Sequence, residues 1–198
     1  MYEIILPKIY PGNKYGQRMP IGTMEVVDNF PYEALRSYYR TWYRPDQQAI
    51  VVVGDIDVDA VEAKIKDIFG TLPAAPADAP ERVYTPVEDN EQTIVAIATD
   101  KEQSYPLIYV MAKHEAVTPA EKNTLDYLIY QYADAVADIM MSQRLHEMTE
   151  AADPDFVQAG ISDDDFFFSK TKGAYFGYCI TDENQVLRGV TSIYREML

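Results

Sequence analysis

Between Thr71 and Asn90 four prolines, Pro73, Pro76, Pro80 and Pro86, are spaced among alanines and acidic residues. Proline has no amide hydrogen and fixes its own φ, so neither a helix nor a central strand runs through such a stretch. It reads as an extended linker and obliges the chain to fold in separate pieces. The expected division is an α/β piece over 1–72 (helix, strand, helix), a linker over 73–91, and a second piece over 92–198. With 198 residues, 47% apolar and 25% charged, the chain has the composition of a folded protein and the length to bury a core.

The first 30 residues are rich in turn formers: Pro11-Gly12-Asn13, Gly16, Pro20 and Gly22. Tyr2 to Ile9 reads as a short helix or an extended arm, with Pro7 weakening the helical option. Asp28 or Asn29 is placed to cap a helix with Pro31 near its first turn, and Leu35, Tyr38, Tyr39 and Trp42 recur at helical spacing until Pro45. Ala49-Ile50-Val51-Val52-Val53 is the longest tight apolar run and predicts a buried strand. Asp57 or Asp59 caps a following helix whose Val61, Ile65, Ile68 and Phe69 form one stripe ending at Gly70. A lone strand between two helices cannot cover both its faces, so this piece is expected to need a larger sheet.

Beyond the linker, 93–99 and 107–112 predict strands, and Thr118-Pro119-Ala120-Glu121 is a capping box that opens the longest helix, roughly 119–150. Strands are predicted at 156–161 and 174–180, around an acidic and aromatic turn at 163–168. A last helix starts at Asp182 or Asn184 and is still apolar and periodic at Leu198. The order β-β-α-β-β-α gives an α+β class, an antiparallel sheet backed by helices, expected to be incomplete.

The net charge of -15 works against nucleic acid and anionic lipid. No segment reaches the ~18–20 continuous apolar residues of a membrane helix. A single cysteine, Cys179, excludes an internal disulfide, and its apolar neighbours favour a buried hydrophobe over a thiolate nucleophile. Of the two histidines, His146 begins His-Glu-x-x with Glu150 where a second histidine would complete a zinc-binding pair, and His114 is followed by Glu115-Ala116-Val117. His146 is therefore expected near a helix C-terminus and His114 at a strand end. Asp163-Asp164-Asp165 lacks the spaced oxygens and glycine of a calcium loop, and Val53-Gly54-Asp55 lacks the further glycines of a phosphate loop. No catalytic, cofactor-binding or metal-ligating residue is assigned from the sequence.

One ordered series is nevertheless distinctive: Arg18-Met19-Pro20-Ile21-Gly22-Thr23, Phe30, Leu35, Tyr38-Tyr39, Trp42-Tyr43-Arg44-Pro45, Val51-Val52-Val53-Gly54-Asp55-Ile56-Asp57 and Ile68-Phe69-Gly70-Thr71-Leu72-Pro73. It resembles the M16 zinc metallopeptidases, the pitrilysin and insulinase family that includes mitochondrial processing peptidases, and in particular their inactive C-terminal-type module. The resemblance implies a LuxS/MPP-like metallohydrolase fold in which homologous α/β units enclose a peptide. It also implies zinc in the parent protein, bound by a His-x-x-Glu-His motif that this chain does not carry.

The function implied is a non-catalytic portion of a zinc-dependent metalloendopeptidase that helps form the peptide chamber, with no zinc expected on this chain. Alternatives are a non-catalytic M16 homologue serving as an assembly subunit, and an unrelated α/β peptide-binding module. The implied partners are a peptide or small protein substrate and the remaining M16 domains. The chain is also expected to associate with copies of itself. Gly54 is assigned a tight exit from the strand, Asp55 or Asp57 a helix cap, and Arg18 a pairing with an acidic neighbour. The strand at 93–99 or at 174–180 is expected at a sheet edge, where an extended peptide can add.

Overall fold

The computed structural model describes residues 1–198. In chain order its elements are α1 (Tyr2–Ile9), α2 (Lys14–Gln17), α3 (Met24–Asn29), α4 (Tyr32–Trp42), α5 (Val58–Phe69), β1 (Leu107–Glu115), α6 (Leu125–Thr149), β2 (Gln158–Asp165), β3 (Lys172–Ile180) and α7 (Val186–Glu196). They belong to two compact units, Ile21–Val83 and Met1–Pro20 together with Tyr84–Leu198.

In the unit Ile21–Val83, local signals set the helix ends. The Thr23 hydroxyl accepts from the Val26 amide at the start of α3, and the Asp57 carboxylate accepts from the Ala60 amide at 3.0 Å at the start of α5. Asn29 closes α3 instead of capping α4, whose N-cap is Pro31, a residue with no side-chain acceptor to offer. Residues 49–53 form no strand, and Val51 and Val53 are 81% and 90% exposed. A β-branched run specifies extended backbone, yet its amides need a neighbouring strand, and this unit contains none.

The larger unit is built on a three-stranded antiparallel sheet in the order β1-β3-β2. Registers Leu107↔Ile180, His114↔Gly173, Gln158↔Ile180 and Asp163↔Tyr175 put alternate residues on opposite faces. One face carries Ile108, Val110, Ala159, Ile161 and Cys179, which pack with Leu145 and Met141 of α6, Ile193 and Met197 of α7, and Phe156. On the other face Met111, Ala174 and Phe176 meet Leu6, Tyr10, Tyr15, Val87 and Phe166. Helices thus back the sheet on one side and the chain's first turns cover the other. Complete burial of a side chain such as Leu145, Ile193 or Leu6 contributes about 1.5–3 kcal/mol.

Two expectations are corrected here. The segment 93–99 forms no strand, and Val95 and Ile97 are 74% and 71% exposed, so the strand order is β-α-β-β-α. The strand containing 174–180 is the central strand of the sheet, and the edges are β1 and β2. Both errors have one cause: apolar content marks a segment as extended without naming its neighbours. The acidic residues 163–165 also lie within β2 and not in the turn, because the turn begins at Phe166, followed by Phe167 at φ 48°. The Thr118–Glu121 capping box does form, with the Thr118 amide donating to Glu121 at 2.8 Å. It is followed by a single 3-10 turn (Glu121–Asn123), and Thr124 then caps α6.

Asp155 ties α7 to the start of β2. Its carboxylate accepts from the Ser192 hydroxyl and from Arg188, the latter at 2.6 Å. The Ser192 hydrogen bond, and after it the Arg188 guanidinium, hold the carboxyl below the ordinary carboxylate range against the opposing effect of burial. A depressed folded pKa contributes stability that is present above the unfolded value, ~3.9, and is lost as pH falls through the folded value. Asp155→Asn is therefore expected to destabilise the chain by about 1–2 kcal/mol at neutral pH, below the buried limit because the side chain is 30% exposed. Thermal melts of both proteins at pH 7 and pH 3 check this: the gap should narrow in acid.

Candidate functional site

One concave site lies at the end of the sheet where β1 and β2 reach the α6 helix. It is a cavity of about 220 Å³ bordered by His114, Tyr130, Asp134, Asp163 and Gly173 among others. The register explains its composition. His114 on β1 faces Gly173 on β3, which leaves room for the imidazole to cross the central strand. A Cβ at position 173 would stand 2.5 Å from His114 Cε1 and 2.9 Å from its Nε2, so any side chain there would displace the ring.

Across that gap His114 Nε2 lies 3.0 Å from Asp163 Oδ1 on β2, while Nδ1 lies 2.9 Å from the Glu115 carbonyl oxygen. The Tyr130 hydroxyl donates to Asp163 Oδ2 at 3.3 Å. Burial raises the Tyr130 phenol, and the charges of Asp163 and Asp134 raise it further. The Asp138 carboxyl is raised in the same way, first by burial and then by Asp134 and Asp163. Burial also leads the rise of the Tyr175 phenol, followed by Asp138, Asp134 and Asp163. The site is thus a recess rich in carboxylates, lined by one imidazole, the Tyr127 and Tyr130 phenols and Lys122. It can hold a cationic or hydrogen-bond-donating group, and it presents no activated nucleophile.

The residues weighed in the sequence are scattered. His146 lies in the last turn of α6, with Nε2 3.6 Å from Glu150 Oε1, and both side chains are exposed. Cys179 is fully buried in the core between β3 and α7, and burial pushes its thiol up to about 11. Within the acidic run, Asp163 serves His114, Asp164 Oδ1 accepts from the Asp165 amide, and Asp165 pairs with Lys170 at 2.8 Å. Arg18 is exposed at the C-terminal end of α2 and pairs with no carboxylate. No three His, Cys, Asp or Glu side chains converge as a metal-binding set. Sequence reasoning did not single out Tyr130, Asp134, Asp138, Gly173 or Tyr175. The one available signal was a glycine inside a strand pattern, which marks a close approach.

The profile described as the peptidase M16 inactive domain matches residues 29–145. The probable zinc protease PqqL of Escherichia coli (strain K12) is 30% identical over 143 residues, covering 72% of this chain and 15% of the relative. The zinc protease PQQL-like of Arabidopsis thaliana is 26% identical over 158 residues, covering 77% of this chain and 16% of the relative. The chain therefore spans only a small fraction of these relatives' length. Among solved structures, the first half of the periplasmic protease PqqL from Escherichia coli superposes with a TM-score of 0.76 at 24% identity, covering 97% of this chain and 40% of that one. The ferredoxin protease FusC in complex with Arabidopsis ferredoxin gives 0.69 at 20% identity, covering 97% of this chain and 21% of that one. These likenesses concern the fold, and they agree with an antiparallel sheet backed by helices. With more than half of its residues matched by the family profile, the chain belongs to the peptidase M16 family, in the part described as its inactive domain.

Proposed function

We propose that this chain is a non-catalytic wall of the peptide-binding chamber of a longer M16 zinc metalloendopeptidase. The match of residues 29–145 to the inactive domain carries the reading. In this reading residues 1–72 complete one M16 unit, 73–91 link it to the next, and 92–198 open that next unit. The substrate is a peptide or small protein, and the structural partners are the other M16 domains of the same protein.

Zinc belongs to the parent and not to these residues. The donor set present does not fit the metal: His114 has both ring nitrogens engaged, by Glu115 and Asp163. His146 and Glu150 are two exposed groups on one helical turn, and a zinc site needs at least three protein ligands. No hydrolytic step is therefore assigned to this chain, whose role is to shape and close a cavity.

The test uses the full-length parent. Its remaining sequence is expected to contain His-x-x-Glu-His, and changing that glutamate to glutamine should abolish peptide cleavage, typically by 10³-fold or more when a general base is lost from a metal site. Glu147→Gln in the present chain should leave cleavage intact. A parent whose cleavage depends on Glu147, or one that lacks the motif and cleaves nothing, contradicts the proposal, and the second outcome supports the assembly-subunit alternative.

A further inference from the structure

The hydrogen-bonding of His114 contains a constraint that the fold alone does not require. Nδ1 faces the Glu115 carbonyl at 2.9 Å, and a carbonyl oxygen only accepts. Nε2 faces the Asp163 carboxylate at 3.0 Å, which when ionised also only accepts. A neutral imidazole has one N–H and satisfies one of these partners, whereas an imidazolium satisfies both. The two acceptors come from different strands, β1 and β2, which are not neighbours: β3 lies between them, and only Gly173 lets the ring pass. We propose that His114 and Asp163 form a pH-sensitive latch that ties the two edge strands together across Gly173 through a charge-assisted hydrogen bond when the imidazole is protonated, and that this tie weakens when the ring loses its charge and can serve only one of its two acceptors.

The surroundings favour the charged ring in sum. Burial works against it, but the Glu115 carbonyl and then the hydrogen bond and charge of Asp163 outweigh both burial and the opposing charge of Lys172 on β3, so the His114 pKa is raised. Lys172 is itself neutralised by Glu115 and by Asp89 at 3.0 Å. From α6, Asp134 and Asp138 add negative charge and Tyr130 hydrogen-bonds to the same Asp163. Asp164 and Asp165 of β2 border the cavity as well, Asp165 being paired with Lys170. Lys122, ahead of α6, is the other cation lining it. Loss of the imidazolium therefore removes a counter-charge from a recess dominated by carboxylates and loosens the side-chain tie beside the closed end of the β2–β3 hairpin.

A group whose pKa rises on folding stabilises the folded chain fully below its unfolded value, near 6.5, and that contribution disappears as pH climbs through the folded value. The latch thus weakens as pH climbs above about 6.5. It is testable on the 198-residue chain by NMR titration of the two imidazoles, assigned with His146→Gln, and by amide exchange of residues 163–165 and 172–174. His114 is expected to titrate above 6.5, and Asp163→Asn should lower that midpoint. After correction for intrinsic rates, opening of those amides should increase several-fold from about pH 6 to pH 8.5, and His114→Gln should abolish the increase. A His114 midpoint at or below 6.5, a midpoint unmoved by Asp163→Asn, or the same pH-dependent opening in His114→Gln overturns the latch. The titration of the unsubstituted chain decides the matter even if a variant does not fold.

Discussion

Phe156→Ala is expected to destabilise the larger unit by about 3–5 kcal/mol, a substantial part of the stability of any domain of this size. Phe156 is fully buried, just ahead of β2, and packs in the cluster that joins Leu145 of α6, Cys179 of β3 and Ile193 of α7. Each of those neighbours comes from a different element, so a cavity left by the ring cannot be filled by a shift of one helix. Phe156→Leu retains most of the volume and should cost less than half as much. Denaturant unfolding followed by tryptophan-independent circular dichroism gives the comparison, since the chain has a single tryptophan, Trp42, in the other unit. A loss below about 1 kcal/mol for Phe156→Ala would mean that this cluster is not the core of the unit.

Gly189→Val tests the opposite limit. Gly189 is buried on the face of α7 turned toward the sheet, and a Cβ there would stand 2.3 Å from Thr181 Cγ2 and 3.2 Å from Cys179 Sγ. Neither neighbour can yield, because both are completely buried. Alanine in place of a helical glycine gains about 1 kcal/mol of propensity, but overpacking of a filled site costs about 1–3 kcal/mol. Gly189→Ala should therefore be destabilising on balance, and valine, with two further methyl groups, should cost about 3 kcal/mol or more. Leu187→Ala, two residues away but 79% exposed, should change stability by no more than about 0.5 kcal/mol. A neutral Gly189→Val would show that α7 does not pack against β3 at this point.

Much of the secondary structure was written locally. Asp57 before α5, Gly70 at its end and the Thr118–Glu121 box are signals carried within a few residues, and the structure uses all three, whereas the Val61–Phe69 stripe of α5 buries no residue. What could not be read was pairing. Val51 and Val95 belong to apolar runs that favour extended backbone, but nothing in such a run names the strand beside it. The central place of β3 was obscure for the same reason, although Gly177 inside its predicted span and Gly173 just ahead of it were signs of close approach. The His114–Asp163 contact spans 49 residues and depends on a register that puts His114 opposite Gly173. Only the three-dimensional pairing reveals it. The family, by contrast, was legible from the order and spacing of the residues between Arg18 and Pro73, which needs no knowledge of pairing.

In the function proposed for this chain, its residues wall a proteolytic cavity whose metal is held elsewhere in the polypeptide. Elemental analysis of the purified 198-residue chain and of its full-length parent, each after equilibration with limiting zinc, tests it most directly. One tightly held zinc per parent molecule is expected, unchanged by His114→Ala or His146→Ala, with no stoichiometric zinc on the chain alone. One zinc per isolated chain, lost on replacement of either histidine, would contradict it.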